Sequence, residues 1–280
     1  PDYTPDPAGR ETTRAAIARW YDGRGIPTSA EQVVLTAGSS LSYLLVFSVL
    51  KTSGIVALPR PSYPLFEDLA LMAGMGPNWY DLDAASGFAL DRDSVERCLR
   101  GGVDGLNRDV AGAPAAAVQS DRLHSASRAA PDCMVVISPN NPTGRILSAD
   151  DVAWLVDACS RVSVPLVCDE VFSAYVYDGT LAAPAAWATT SAIRAATERP
   201  SPTITLNGLS KLYAAPEVKL GWIVVHGASA VREPLLEELI TYNDLFLSSS
   251  GFAEHAGEVF LREAPGFPEK LADTVSGRRK

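Results

Sequence analysis

A chain of 280 residues with 47% hydrophobic and 20% charged residues has the composition of a folded globular protein, and not of a disordered or fibrous one. Its net charge of −9 argues against a nucleic-acid-binding surface, and no apolar run reaches the length of a membrane helix. At this size the chain forms one large α/β domain or two smaller ones, burying roughly three-quarters of the surface its unfolded form exposes.

In chain order, the turn-rich start at residues 3–9 lacks the charged-then-apolar layout of a signal peptide, which favours the cytoplasm. Residues 10–21 carry Ala15, Ile17, Ala18 and Trp20 at helical spacing and predict a packed helix. The run 32–35 (QVVL) reads as a short strand that passes through Thr36-Ala-Gly-Ser-Ser40 into an apolar helix at 41–50. Strand, small residues and helix start make an anion-binding layout, because the free N–H groups of the first turn face outward. The alternative is an ordinary serine N-cap, which needs no ligand. Residues 54–58 (GIVAL) predict the next strand, closed by Pro59-Arg-Pro-Ser-Tyr-Pro64, a stiff turn that presents Tyr63. An aromatic held in this way either stacks on a flat ligand or fills the core. A helix at 65–75, a strand or extended piece at 78–82 and a charged helix at 91–100 follow. Residues 101–130, rich in Ala, Gly, Ser and Arg, read as an exposed insertion without chemistry, with His124 as a surface histidine.

The buried strand 134–137 ends in Ser138-Pro-Asn-Asn-Pro-Thr-Gly144. In an open parallel sheet, ligands bind outside the carboxyl ends of the strands, so this polar turn points at the site, with Asn141 placed to bond a ring substituent. Ser148 and Asp151 form a capping box for a helix at 152–159. The strand 164–168 (VPLVC) delivers Asp169 and Glu170 at its carboxyl end. A carboxylate there either caps a helix or loop or partners a cationic ligand atom, and the apolar strand directly before Asp169 favours the second. Helices are expected at 181–197, 234–242 and 252–261, with a break at 245–251. Cys98, Cys133, Cys159 and Cys168 lack paired spacing and read as buried thiols, neither disulfides nor zinc ligands.

The stretch 207–222 (NGLSKLYAAPEVKLGW) organises the rest. Its Lys211 and Lys219 belong to a small set completed by Lys51, Lys270 and Lys280. Lys211 sits between the β-branched strand 203–206, broken by Asn207-Gly208, and a second apolar run at 221–225. So placed, it reads as a reactive amine beside an anion site, with desolvation and a neighbouring cation expected to favour the neutral amine that condenses with an aldehyde. The plain alternative is two solvated loop charges.

Taken together, GSS, RPSYP, SPNNPTG, DEVF, SK and KLGW in this order resemble the class I/II aminotransferases, pyridoxal phosphate enzymes of fold type I. The resemblance covers nearly the whole chain. It implies a three-layer α/β sandwich around a mostly parallel sheet, the large cofactor-binding domain of that fold. It implies that Lys211 is the Schiff-base lysine and proton shuttle, and that Asp169 keeps the pyridine nitrogen protonated. Asn141 would bond the ring O3′, Tyr63 would stack on the ring, and Ser39, Ser40, Ser210 and Lys219 would bind the phosphate. Tyr3 would reach a neighbouring subunit's phosphate in a homodimer, and the substrates would be an L-amino acid and a 2-oxo acid. Three departures stand out: lysine replaces the usual arginine at Lys219, Phe172 replaces a tyrosine that donates to O3′, and the N-terminal arm and C-terminal small domain are expected to be missing. The same family pattern admits a carbon–sulfur lyase or an aminocyclopropane-carboxylate synthase-like enzyme, although lyase relatives often carry histidine at the Asn140 position. A rival of another kind is the ligand-sensing domain of an aminotransferase-like transcription regulator.

Overall fold

The structure is a computed structural model that describes residues 5–101, 130–175, 201–247 and 249–278. Tyr3, nearly all of the predicted insertion with His124, and the helix predicted at 181–197 lie outside the described residues.

Eight strands form one sheet: β1 (Val33–Thr36), β2 (Ile55–Arg60), β3 (Gly76–Asp83), β4 (Ala89–Leu90), β5 (Cys133–Ile137), β6 (Leu166–Asp169), β7 (Thr203–Gly208) and β8 (Gly221–His226). Their order is β1-β8-β7-β6-β5-β2-β3-β4. The central β7, β6, β5, β2 and β3 run parallel, whereas β8 is antiparallel to both β7 and β1. The carboxyl ends of β1, β2, β5, β6 and β7 therefore share one edge of the sheet with the start of β8. That edge is where an open parallel sheet places a ligand.

Burial on both faces explains why these strands read as continuous apolar runs in place of alternating ones. On one face Val34, Val56, Val135, Val167, Ile204 and Ile223 meet α2 (Ser39–Leu50), α3 (Phe66–Met72) and α7 (Ser229–Asp244). On the other, Ala57, Met134, Val136 and Cys168 meet α4 (Arg92–Leu99) and α5 (Ala149–Arg161). The same face continues through Val33, Leu35, Trp222 and Val224 to α1 (Glu11–Asp22) and α8 (Gly251–Glu263). This is the three-layer sandwich expected from the sequence. All four cysteines are buried thiols outside any disulfide.

Several boundaries differ from expectation. Strand β2 runs on through Pro59 and Arg60, pairing with Tyr80 and Asp81, so the turn begins later than the prolines suggest. Ser148 caps α5, which starts at Ala149, by accepting from the Asp151 N–H, but the Asp151 carboxylate accepts from the Ser148 hydroxyl and not from its backbone N–H, so only half of the expected capping box forms. Helix α7 begins at Ser229, five residues before Pro234, which lies inside it. Proline removes one backbone donor, and the Leu235, Leu236 and Leu239 side chains packed on the sheet hold the helix across that gap. A last helix, α9 (Phe267–Gly277), was not anticipated; its Tyr213–Phe267 ring stack at 5.5 Å docks it. No described helix is long and apolar enough to cross a membrane.

Candidate active site

Helix α2 supplies the first wall. Gly38, at φ 103°, is its N-cap and makes no side-chain cap bond, so the ordinary serine cap is not what the chain builds. The N–H groups of Ser39 and Ser40 belong to the first turn, where helix geometry provides no intrahelical acceptor. Ser39 is half-buried and Ser40 exposed, at the carboxyl end of β1. Glycine is required here by close approach: a Cβ on Gly221 would lie 2.8 Å from the Gly38 carbonyl carbon and 3.0 Å from the Ser39 nitrogen. A Cβ on Gly208 would lie 2.8 Å from the Leu220 oxygen. These contacts bring the ends of β7 and β8 against the α2 N-terminus.

Lys211 lies in α6 (Leu209–Leu212), a single turn that leaves β7 at Gly208. The Leu209 N–H donates to the Leu220 carbonyl at 2.9 Å, tying that turn to the entry of β8. The Lys211 side chain is exposed, which corrects the expectation of a desolvated amine. A one-turn helix at the sheet edge leaves the amine in solvent in this chain taken alone. Its nitrogen is 5.9 Å from the centre of the Phe172 ring, and the Tyr175 hydroxyl donates to the Lys211 carbonyl at 2.8 Å. Lys219, also exposed, holds a left-handed φ of 57° just before β8. The neighbouring Ser210 is half-buried.

Asp169 closes the floor. It is buried at the end of β6, where its Oδ2 accepts from the Tyr43 hydroxyl at 2.7 Å and its Oδ1 from the Val171 N–H at 2.9 Å. Burial pushes its carboxyl up to about 6, opposed by those two donors. Glu170 points to the opposite face of the sheet; it is fully buried with neither side-chain oxygen hydrogen-bonded, and burial and the Asp169 charge raise it to about 8. The loop after β5 is held from below: Ser138 Oγ accepts from the Leu147 N–H, and Asn140 Oδ1 from the Thr143 hydroxyl. Asn140 is thus a structural residue, and the half-buried Asn141 beside it makes no side-chain hydrogen bond to a described residue. Tyr63, half-buried beyond β2, packs edge-on against Phe66 at 5.5 Å.

Sheet topology thus gathers Ser39, Ser40, Tyr63, Asn141, Asp169, Phe172, Ser210, Lys211 and Lys219 at one edge, from six separate segments. Sequence reasoning missed Tyr43, because the only signal was a polar-tipped aromatic, one of two aromatics among the aliphatic residues of α2. The Gly38–Gly221 contact was likewise invisible before the strand order was known.

A sheet of this order, with a lysine, a buried aspartate and an uncapped helix start on its carboxyl edge, defines a class of protein. The family model for aminotransferase class I and II matches residues 3–279, and the chain belongs to that family, whose members depend on pyridoxal phosphate. Mouse tyrosine aminotransferase is 25% identical over 98% of this chain and 52% of its own length. An S-alkyl-thiohydroximate lyase of Arabidopsis thaliana is 26% identical over 81% of this chain and 41% of its own length. The solved alanine aminotransferase of Pyrococcus furiosus superposes with a TM-score of 0.78 at 20% identity, covering 99% of this chain and 62% of that one. The chain therefore spans about half the length of the curated relatives it matches.

The residues present fit the cofactor. A buried carboxylate with hydrogen-bonding capacity left on each oxygen suits a ring N–H, and the uncapped α2 start beside Lys219 suits a phosphate.

Proposed function

We propose that the chain is the cofactor-binding part of an aminotransferase that moves an amino group between an L-amino acid and a 2-oxo acid. The observation that carries this reading is the convergence of Lys211 with Asp169 on the edge where α2 begins. Bound pyridoxal phosphate supplies an electron-poor ring that stabilises the carbanion left when the substrate α-C–H bond breaks. Asp169 keeps a negative charge opposite the ring nitrogen, and Lys211 holds the cofactor covalently and carries the proton at the α-carbon. The first-turn N–H groups of α2, Ser210 and the Lys219 charge hold the phosphate. Lysine offers a point charge where arginine would offer a two-pronged donor, so this grip is weaker than an arginine's. Tyr63 covers one face of the ring, and Asn141 bonds its oxygen.

A cytoplasmic homodimer is part of the same reading, with Tyr3 reaching the neighbouring phosphate. Leu245, Phe246 and Phe252, exposed by 76%, 53% and 82%, support a face that is covered in the assembly. The lyase relative favours a second reading, elimination at a carbon–sulfur bond, in which the same residues bind the cofactor and differ only in the fate of the substrate.

Reduction with borohydride tests the site. The protein incubated with pyridoxal phosphate should turn yellow, and reduction should fix the cofactor on the peptide containing Lys211. Lys211→Ala should abolish that label; a label of undiminished yield would remove Lys211 from its role. Amino-acid and thioether substrates offered to the full-length protein then separate transfer from elimination.

A further inference from the structure

Two of the proposed ring-contacting groups are joined through the interior of the protein. Tyr63 packs edge-on against Phe66 at 5.5 Å, and Phe66 packs edge-on against Tyr43 at 4.8 Å. The Tyr43 hydroxyl then donates to Asp169 at 2.7 Å. Phe47 backs Tyr43 from its own helix at 5.5 Å, and both Tyr43 and Phe66 are buried. A phenol enclosed by rings has little freedom to turn, so its hydroxyl is aimed at one place. That place is a carboxylate otherwise held, among the described residues, only by the Val171 N–H.

We propose that Tyr43 is a positioning residue for the cofactor ring: it fixes the Asp169 carboxylate in the orientation and charge state that select a protonated ring nitrogen. The inference rests on the pyridoxal phosphate reading above. Three physical points support it. Asp169 lies in an apolar layer with Ile137 and Leu206 beside it, where an ionised carboxylate is costly unless donors offset the loss of water. Tyr43 provides one of its two donors among the described residues, and a hydrogen bond to a charged group is about twice as strong as a neutral one. Burial and the Asp169 charge hold the Tyr43 phenol well above its ordinary range, so it stays protonated and remains a donor. Without that donor Asp169 takes up a proton more readily and its plane is free to tilt. The partner of the ring nitrogen is then lost, although nothing that touches the phosphate has changed. Through Phe66 the same tyrosine also supports Tyr63, so the floor and one face of the proposed ring site share one buried aromatic cluster.

The test compares two probes on the intact protein: pyridoxal phosphate and its 1-deaza analogue, in which carbon replaces the ring nitrogen. Tyr43→Phe keeps the ring packing and removes only the hydroxyl. Its dissociation constant for pyridoxal phosphate should rise about tenfold, while that for the deaza analogue should stay within about twofold of the parent. An equal rise for both probes would show that Tyr43 only supports the fold, and no change for either would show that its hydroxyl is irrelevant to the ring; both results overturn the inference. If Tyr43→Phe does not fold, Tyr43→Met fills the space without a donor and is read in the same way. Should the parent bind neither probe, the cofactor reading falls and the inference with it. Binding of both by the parent, with trapping on Lys211 and an unchanged ratio in the variant, removes the inference alone.

Discussion

Asp132 and Asp169 are both buried aspartates, one directly before β5 and the other at the end of the neighbouring parallel β6, so they sit at opposite strand-end edges of the sheet. Asp132, just before β5, accepts from the backbone N–H groups of Thr52, Ser53, Gly54 and Ile55 and from the Thr52 and Ser53 hydroxyls, at 2.6 to 3.3 Å. Burial works against its charge, but those donors outweigh it and hold the carboxyl below the usual range. Asp169 has two donors among the described residues and is raised. The contrast separates a carboxylate whose bonding is completed by its own chain, and which therefore staples a loop, from one left with capacity for something else. Burial alone does not distinguish them; the number of donors does.

The largest expected effect follows directly. Asp132→Asn turns an acceptor toward a ring of donors and should destabilise the cofactor-free protein by about 3 kcal/mol. Asp169→Asn keeps one acceptor for Tyr43 and removes a costly buried charge, so it should change stability by less than about 1 kcal/mol while weakening pyridoxal phosphate binding at least about tenfold. Urea denaturation and cofactor titration measure the two effects. Similar losses of stability in both variants would erase the distinction between staple and site.

The pH dependence sharpens the same contrast. Glu170 is raised from 4.5 to about 8, and Asp169 from 3.8 to about 6. Both groups hold protons in the folded protein that they have lost in the unfolded chain. Their contribution is therefore fully present below about pH 4 and is lost as pH rises through about 6 and then about 8. Asp132 behaves oppositely, contributing above its unfolded value and losing that contribution as pH falls. Glu170→Gln should flatten the alkaline decline and raise the melting temperature at pH 8 by roughly 2–4 °C for each kcal/mol recovered. A melting profile identical to the parent's between pH 5 and 8 would mean that Glu170 does not titrate in that window.

Much of this edge was legible in the chain. Apolar runs ending in polar residues marked β1, β5, β6 and β7, and a carboxylate directly after VPLVC marked Asp169, because a strand buried on both faces has few ways to end. The order of strands is not local information. The Tyr43–Asp169 bond spans 126 residues of chain, and the meeting of Gly38 with Gly221 depends on β8 inserting between β1 and β7. Exposure of Lys211 was misjudged for a related reason: flanking residues report the end of the strand, whereas solvent access depends on how far α6 projects beyond the sheet. Helix α7 was shortened by taking Pro234 as its start, although packing of its apolar side against the sheet holds it from Ser229.

Phe172 gives the smallest effect and the closest test of register at this edge. Its ring lies near the Lys211 nitrogen, and it cannot donate a hydrogen bond to the cofactor's ring oxygen. The obvious substitute donor, Ser173, is buried on the far side of the sheet, where its hydroxyl accepts from the Asn207 amide at 3.4 Å. Asn141 is left as the proposed partner of that oxygen. A tyrosine hydroxyl at this position would favour the negatively charged ring oxygen and so ease loss of the proton shared with the lysine nitrogen. In Phe172→Tyr, the pH midpoint of the visible absorbance should fall by about half a unit to one unit, the size of a single hydrogen bond to a charged oxygen discounted for solvent. Stability should be nearly unchanged, since the added hydroxyl enters a half-buried position at the ligand edge. A midpoint that stays or rises would place Phe172 away from the ring oxygen and shift the assignment of residues 169–172 relative to the cofactor.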